Sequence, residues 1–241
     1  MSKLRDNVFL AIILTGSSAI IYFIQNAIFH QPLQTVFYIF QDMAFMPFQA
    51  LIATLIIDQF LKIEEKRRKI KKTNVVISTF FVDAGVNIMM AMSRFNQNHN
   101  EACKSIKIEK LIVNKGSSLK KAASELEYCF YADPNKLDEL ASIMDKNKEF
   151  LLNLLENSNL LEHESFTDML WAVFHVADEL KTRGDLKRLS RVEIDHISED
   201  MLRAYTAMVM EWISYIIYLK DEYPFLYASA IRKNPFYKVI I

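Results

Sequence analysis

Turn-forming residues are scarce in this sequence, with four Gly and five Pro in 241 residues. That scarcity excludes a turn-rich all-β fold and any Gly-rich phosphate loop, and leaves an all-α protein as the expectation. Lys+Arg and Asp+Glu are balanced at 29 each, so the summed charge points to neither a nucleic-acid nor an acidic partner. Cys103 and Cys129 are too few for a zinc cluster and are read as buried, reduced thiols. No Gly-x-Ser-x-Gly elbow, His-Glu-x-x-His helix, Walker loop or dinucleotide fingerprint occurs, so no specific enzyme is indicated and no cofactor is expected. The most telling absence is local: no Lys or Arg lies between Arg5 and Lys62.

That cation-free region contains two apolar segments. Val8 to Phe29 carries no charge and, at about 1.5 Å per residue, is long enough to cross a hydrocarbon layer of about 30 Å. It is longer than the h-region of a signal peptide and no small-residue cleavage site follows, so a transmembrane helix is the better reading. Val36 to Leu61 is the second apolar segment, interrupted by Gln41, Asp42, Pro47 and Gln49. The short link at His30, Gln31 and Pro32 predicts an antiparallel transmembrane hairpin over residues 1–62, with spans at about 8–29 and 36–61. Lys3 and Arg5 flank one end, and KIEEKRRKIKK (Lys62 to Lys72) flanks the other. By the positive-inside rule both termini then face the cytoplasm, at the cell inner membrane. Lys66, Arg67, Arg68, Lys69, Lys71 and Lys72 are the expected topology anchor and the patch for anionic lipid headgroups. A nucleic-acid site would need a reading motif beside them, and there is none.

Asp42 stands out because a carboxylate within a span costs about 2.5–3.5 kcal/mol even on insertion scales. It requires either a partner or a water-filled pore. One reading places Gln41, Asp42 and Gln49 around the axis of an oligomeric pore, where a carboxylate ring favours cations. The other places Asp42 at headgroup depth, or makes Leu33 to Gln41 a short interfacial helix with the true span starting at Met43. Pro47 is expected to kink or interrupt the second helix as a hinge. Gly16, Ser17 and Ser18 form a small-residue patch suited to close helix packing.

Residues 63–241 read as a cytoplasmic helical domain. Asn74 to Met92 is taken as a buried helix of this part, with a third crossing as the alternative. Gly116, Ser117 and Ser118 mark a loop. Asp133 with Pro134 predicts a helix running to about Glu156, and Ser165 with Asp168 one ending near Gly184. Ser190 with Glu193 forms a capping box opening a helix to about Glu222, and a last helix covers Phe225 to Lys233. Trp212, Tyr215, Ile216 and Leu219 repeat at helical spacing and are assigned to the core. The aromatic and basic run from Tyr223 to Tyr237 suits a bilayer surface, a subunit interface or packing across the domain.

The stretches NLLEHESFTDMLWAVFHVADEL (Asn159 to Leu180), EWISYIIYLKDEYPFLYASAIRKNPF (Glu211 to Phe236) and FQDMAFMPFQALIATLIID (Phe40 to Asp58) resemble an uncharacterised family of prokaryotic membrane proteins. The resemblance spans nearly the whole chain. It implies an N-terminal transmembrane hairpin and a helical cytoplasmic domain in a prokaryotic inner membrane, and it implies no activity, cofactor or catalytic residue.

Metal chemistry has partial signals. Glu162, His163 and Glu164 precede one helix, and His175 and Glu179 share a face of it. Glu193 and His196 give a single Glu-x-x-His where a di-iron bundle requires two. Glu193 is also accounted for by the capping box, and His175 by a hydrogen-bonded position at the core edge, so no metal is expected. The leading expectation is a homo-oligomeric, non-enzymatic membrane channel, cation-selective through Asp42, whose cytoplasmic domains assemble or gate it. Its partners are the lipid bilayer, copies of itself and ions, with no nucleic acid. The alternatives are a membrane-anchored interaction or signalling module and a metal-dependent membrane enzyme using His175, Glu179 and nearby carboxylates.

Overall fold

In a computed structural model the protein is built from α-helices, and it is described for residues 2–30, 32–106, 117–157, 160 and 163–236. The expectations attached to Gln31, Gly116, Asn159, Glu162 and Tyr237 fall outside these residues. No strand occurs among the described residues; a single antiparallel bridge pairs Asn96 with Phe130. The chain divides into two units, Met1–Lys66 and Arg67–Ile241.

The first unit holds α1 (Ser2–Phe29) and the first part of α2 (Pro32–Phe80). Hydroxyl residues fit these apolar helices by bonding to their own backbone: Ser17 donates to the Leu14 carbonyl and Thr54 to the Ala50 carbonyl. α1 stops at His30, whose φ of 52° is the left-handed conformation that ends many helices. Large apolar side chains throughout the unit are exposed, among them Phe23, Leu33, Phe40 and Phe60. Among the described residues, Leu33–Ser93 is the helical run long and apolar enough to cross a membrane by length and composition, and Ile12–Ile28 is a shorter apolar helix.

Three expectations about α2 are corrected. Pro47 lies within the continuous helix, so of the two expected outcomes, a kink or an interruption, the interruption is not formed. No break separates residues 33–41 from Met43, so an independent interfacial helix there is not formed. The basic run does not end it either: the helix passes through Lys62–Lys72 to Phe80, where a π-turn (Phe81–Gly85) leads directly into α3 (Val86–Ser93). Asn74 to Met92 is therefore the end of one helical run rather than a separate helix. Its apolar face is buried as expected, with Phe80, Phe81, Ile88, Met89 and Met92 essentially inaccessible.

The π-turn is tightly packed at Gly85. A Cβ on Gly85 would stand 2.7 Å from Phe80 Cε1 and 2.8 Å from Phe81 Cδ1. Both rings are held: Phe80 packs edge-on to Phe81 and Phe166, while Phe81 stacks on Tyr215. Gly85→Ala is expected to destabilise the second unit by about 1–3 kcal/mol through overpacking, despite the better helix propensity of Ala. A urea midpoint unchanged from wild type would show that these rings can move aside.

The second unit continues with α4 (His99–Ser105), α5 (Ser117–Ser124), α6 (Leu137–Leu155), α7 (Glu164–Thr182), a 3-10 turn (Leu186–Arg188), α8 (Arg191–Glu222) and α9 (Pro224–Arg232). Here α7 packs on α6 and α8, and α9 and α5 pack on α8. Trp212, Tyr215, Ile216 and Leu219 are buried as expected. Ser190 and Glu193 form the expected capping box, the serine hydroxyl accepting from the Glu193 backbone and the glutamate from the Ser190 backbone.

Several expectations differ in detail. Ser117 and Ser118 begin α5 rather than lying in a loop. Asp133 caps a turn instead of a helix, accepting from the Asn135 backbone N–H, so α6 starts at Leu137. The cap of α7 is His163, whose Nδ1 accepts from the Phe166 backbone N–H in place of the expected Ser165. Cys103 is half-buried, with its Sγ 3.4 Å from His99 Nε2, and Cys129 is exposed rather than buried; neither is in a disulfide.

Candidate functional site

The site follows from two i, i+4 pairs on facing helices. In α7 this spacing puts His175 and Glu179 on one face, and in α8 it does the same for His196 and Asp200. The helices pack together, so the pairs meet. His175 Nε2 and His196 Nε2 each lie 3.3 Å from the same atom, Asp200 Oδ2. The two imidazoles are nearly perpendicular, at 87° with centroids 6.4 Å apart. Glu179 Oε2 is 3.9 Å from His196 Nε2.

Burial is uneven across this group. Asp200 is only 3% exposed, whereas the histidine side chains are about half exposed, at 47% and 49%. Asp200 Oδ1 faces the Arg203 guanidinium at 3.6 Å, and Oδ2 forms no hydrogen bond of acceptable geometry. Glu179 is hydrogen-bonded by Arg183, whose guanidinium holds that carboxyl below the usual carboxylate range. Arg183 also contacts Glu193 at 3.3 Å. The Ser190 hydroxyl and backbone N–H hold Glu193 low as well, so Glu193 is occupied as a helix cap.

His175, His196 and Asp200 offer three ligand atoms within 4.8 Å of one another, a set that could hold a metal ion. His175 does sit at the edge of the core, but beside a buried carboxylate. Sequence reasoning pairs His196 with Glu193 and passes over Asp200. The missed signal is the His-x-x-x-Asp spacing, which lines up on a helix as well as Glu-x-x-His does.

In the first unit, Asp42 has a partner: the Tyr22 hydroxyl of α1 donates to Asp42 Oδ2 at 2.6 Å. Tyr22, Gln25 and Thr35 are half-buried among otherwise exposed neighbours. At about 100° per residue, Asp42 and Gln49 share a face of α2 while Gln41 points about a quarter-turn away. All three are exposed in the single chain, as are Gly16, Ser17 and Ser18. A Cβ on Gly16 would meet nothing within 4 Å. Lys66, Arg67, Arg68, Lys69, Lys71 and Lys72 are exposed along α2.

A cavity of about 580 Å³ opens in the second unit, lined by Asn74, Ser78 and Asp83 together with Tyr215, Tyr218 and Lys233. Burial pushes the Tyr218 phenol up to about 12, so it is a neutral hydrogen-bonding group there. α9 helps to line this cavity, so part of the aromatic and basic run packs across the domain, while Phe225 remains exposed.

Comparison with known proteins agrees with a division near residue 65. Residues 2–61 match a family model described as the MJ1433 N-terminal helical domain, and residues 69–232 match the model of the C-terminal helical domain of uncharacterized protein MJ1433. The uncharacterized protein MJ1433 of Methanocaldococcus jannaschii is 35% identical over 238 residues, which cover 98% of this chain and 95% of that protein. No solved structure matches.

Proposed function

This chain belongs to the uncharacterised MJ1433 family, and we propose that it is a membrane-anchored binding module, with a transmembrane hairpin holding a helical domain at the cytoplasmic face of the inner membrane. One observation carries this reading. Asp42, the acidic residue flanked by the longest uncharged stretches, is satisfied by Tyr22 of the same chain. A carboxylate with a hydroxyl donor does not require water or a ring of other copies to be tolerated in a bilayer. The exposed apolar surface of α1 and α2 suits lipid, and Lys3, Arg5 and the Lys62–Lys72 run set the orientation. The exposed cations from Lys66 to Lys72 suit anionic headgroups. Binding chemistry then belongs to the helical domain, which contains the cavity and the histidine cluster.

Orientation is tested in sealed spheroplasts with a membrane-impermeant maleimide. The reagent is expected to label a cysteine introduced as His30→Cys, at the outer turn, and to spare Cys129, which is exposed on the domain. Labelling of Cys129 in intact spheroplasts would overturn the proposed topology.

A homo-oligomeric cation channel is the second reading, favoured by Asp42 and Gln49 lying seven residues apart on one face of α2. On that reading Pro47 shapes the pore, the Gly16–Ser18 patch packs neighbouring copies, and Asp42→Asn lowers cation preference. The anchor reading expects no cation flux from vesicles reconstituted with purified protein. Flux whose reversal potential shifts in Asp42→Asn would replace it with the channel.

A further inference from the structure

We propose that His175, His196 and Asp200 form a binding site for one divalent transition-metal ion of the zinc type, tying α7 to α8. A tetrahedral ion with ligand bonds of about 2.0–2.1 Å has ligand atoms about 3.3–3.4 Å apart. Both His Nε2 to Asp200 Oδ2 separations are 3.3 Å, which matches two of the three edges, and all three ligand atoms lie within 4.8 Å of one another, so rotation of the half-exposed imidazoles would close the set around an ion.

Asp200 is itself poised to bind a cation. A carboxylate that is 3% exposed is costly unless its charge is compensated, and its Oδ2 lacks a proper hydrogen bond while pointing at two imidazole nitrogens. Arg203 at 3.6 Å from Oδ1 orients the carboxylate without occupying Oδ2. That division of labour, one oxygen for the ion and one for an outer partner, is common where carboxylates ligate metals.

Charge and access fit as well. Asp200, Glu179 and Glu193 supply three carboxylates, against the guanidiniums of Arg183 and Arg203, which leaves the pocket net attractive to a cation. The half-exposed imidazoles give an ion an entry path. Two imidazoles and a carboxylate favour zinc and its first-row neighbours over Mg²⁺ or Ca²⁺, which prefer all-oxygen shells. Three protein ligands leave a fourth position for water. Glu179 stays outside the first set, since Arg183 engages it.

The test uses the full chain without a polyhistidine tag, purified in detergent and stripped with a chelator. Titration with Co²⁺ is expected to give the intense visible absorption of a four-coordinate site, saturating at about one equivalent and displaced by Zn²⁺. His175→Gln and His196→Gln alter half-exposed side chains and should leave the far-UV circular dichroism unchanged. Each is expected to weaken binding at least tenfold. Asp200→Asn should do the same, and should it fold poorly the two histidine variants decide the matter. His163→Gln, the cap of α7, is expected to keep wild-type affinity. No saturable binding, or binding unchanged in both His175→Gln and His196→Gln, would overturn the proposal. These readouts involve neither topology nor flux, so they stand or fall separately from the anchor reading.

Discussion

Replacing Trp212 by Ala is expected to cost the helical domain about 3–5 kcal/mol, whereas Trp171→Ala is expected to cost less than about 1 kcal/mol. The chain's two tryptophans sit in opposite environments. Trp212 lies on the inner face of α8, fully inaccessible, with its ring 5.5 Å from that of Phe236. Truncation there removes a large buried apolar area and leaves a cavity that the neighbouring helices can close only partly. The indole Nε1 has no hydrogen-bond partner among the described residues, so the loss is one of packing. Trp171 projects from α7 and is 55% exposed, with Phe174 as its ring neighbour. Urea unfolding followed by far-UV circular dichroism measures both variants. Similar midpoints for the two would contradict the placement of Trp212 in the core, on the buried face of α8.

Tyr22→Phe is expected to be the most damaging conservative change in the first unit. It removes the donor to Asp42 and leaves a carboxylate among apolar side chains, in a segment the anchor reading places in the bilayer. An unpaired charge at that depth costs about 2.5–3.5 kcal/mol on insertion scales, and an interhelical hydrogen bond contributes about 1–2 kcal/mol in model peptides. Tyr22→Phe combined with Asp42→Ala removes both polar groups, so the double variant should be more stable than Tyr22→Phe alone. Unfolding in mixed micelles with rising SDS fraction reads the cycle, with a coupling of about 1–2 kcal/mol expected. Strictly additive effects would mean that Asp42 is satisfied in some other way, as a pore-facing carboxylate would be.

Apolar periodicity and capping chemistry make much of the helical order legible in the residues alone. Ser190 with Glu193 marks the start of α8 because two side chains and two backbone groups satisfy one another within four residues. The starts of α6 and α7 are less legible, because Asp133 and Ser165 have competing local partners and the α7 cap falls to a histidine. The continuation of α2 through the basic run is hidden for another reason. A charge cluster reads as a boundary, yet Lys, Arg and Glu are good helix formers and can extend a helix already begun.

By itself, the sequence determined the all-helical class, two apolar stretches without a cation, and the core face of α8, because each depends on residue type and short-range spacing. Only the tertiary structure decided which polar groups meet. Tyr22 and Asp42 lie on different helices, as do His175 and Asp200, and helical spacing says which residues share a face but not which faces come together. That choice is made by packing: α7 and α8 bury their apolar stripes against each other, and this brings two half-exposed histidines to one buried carboxylate.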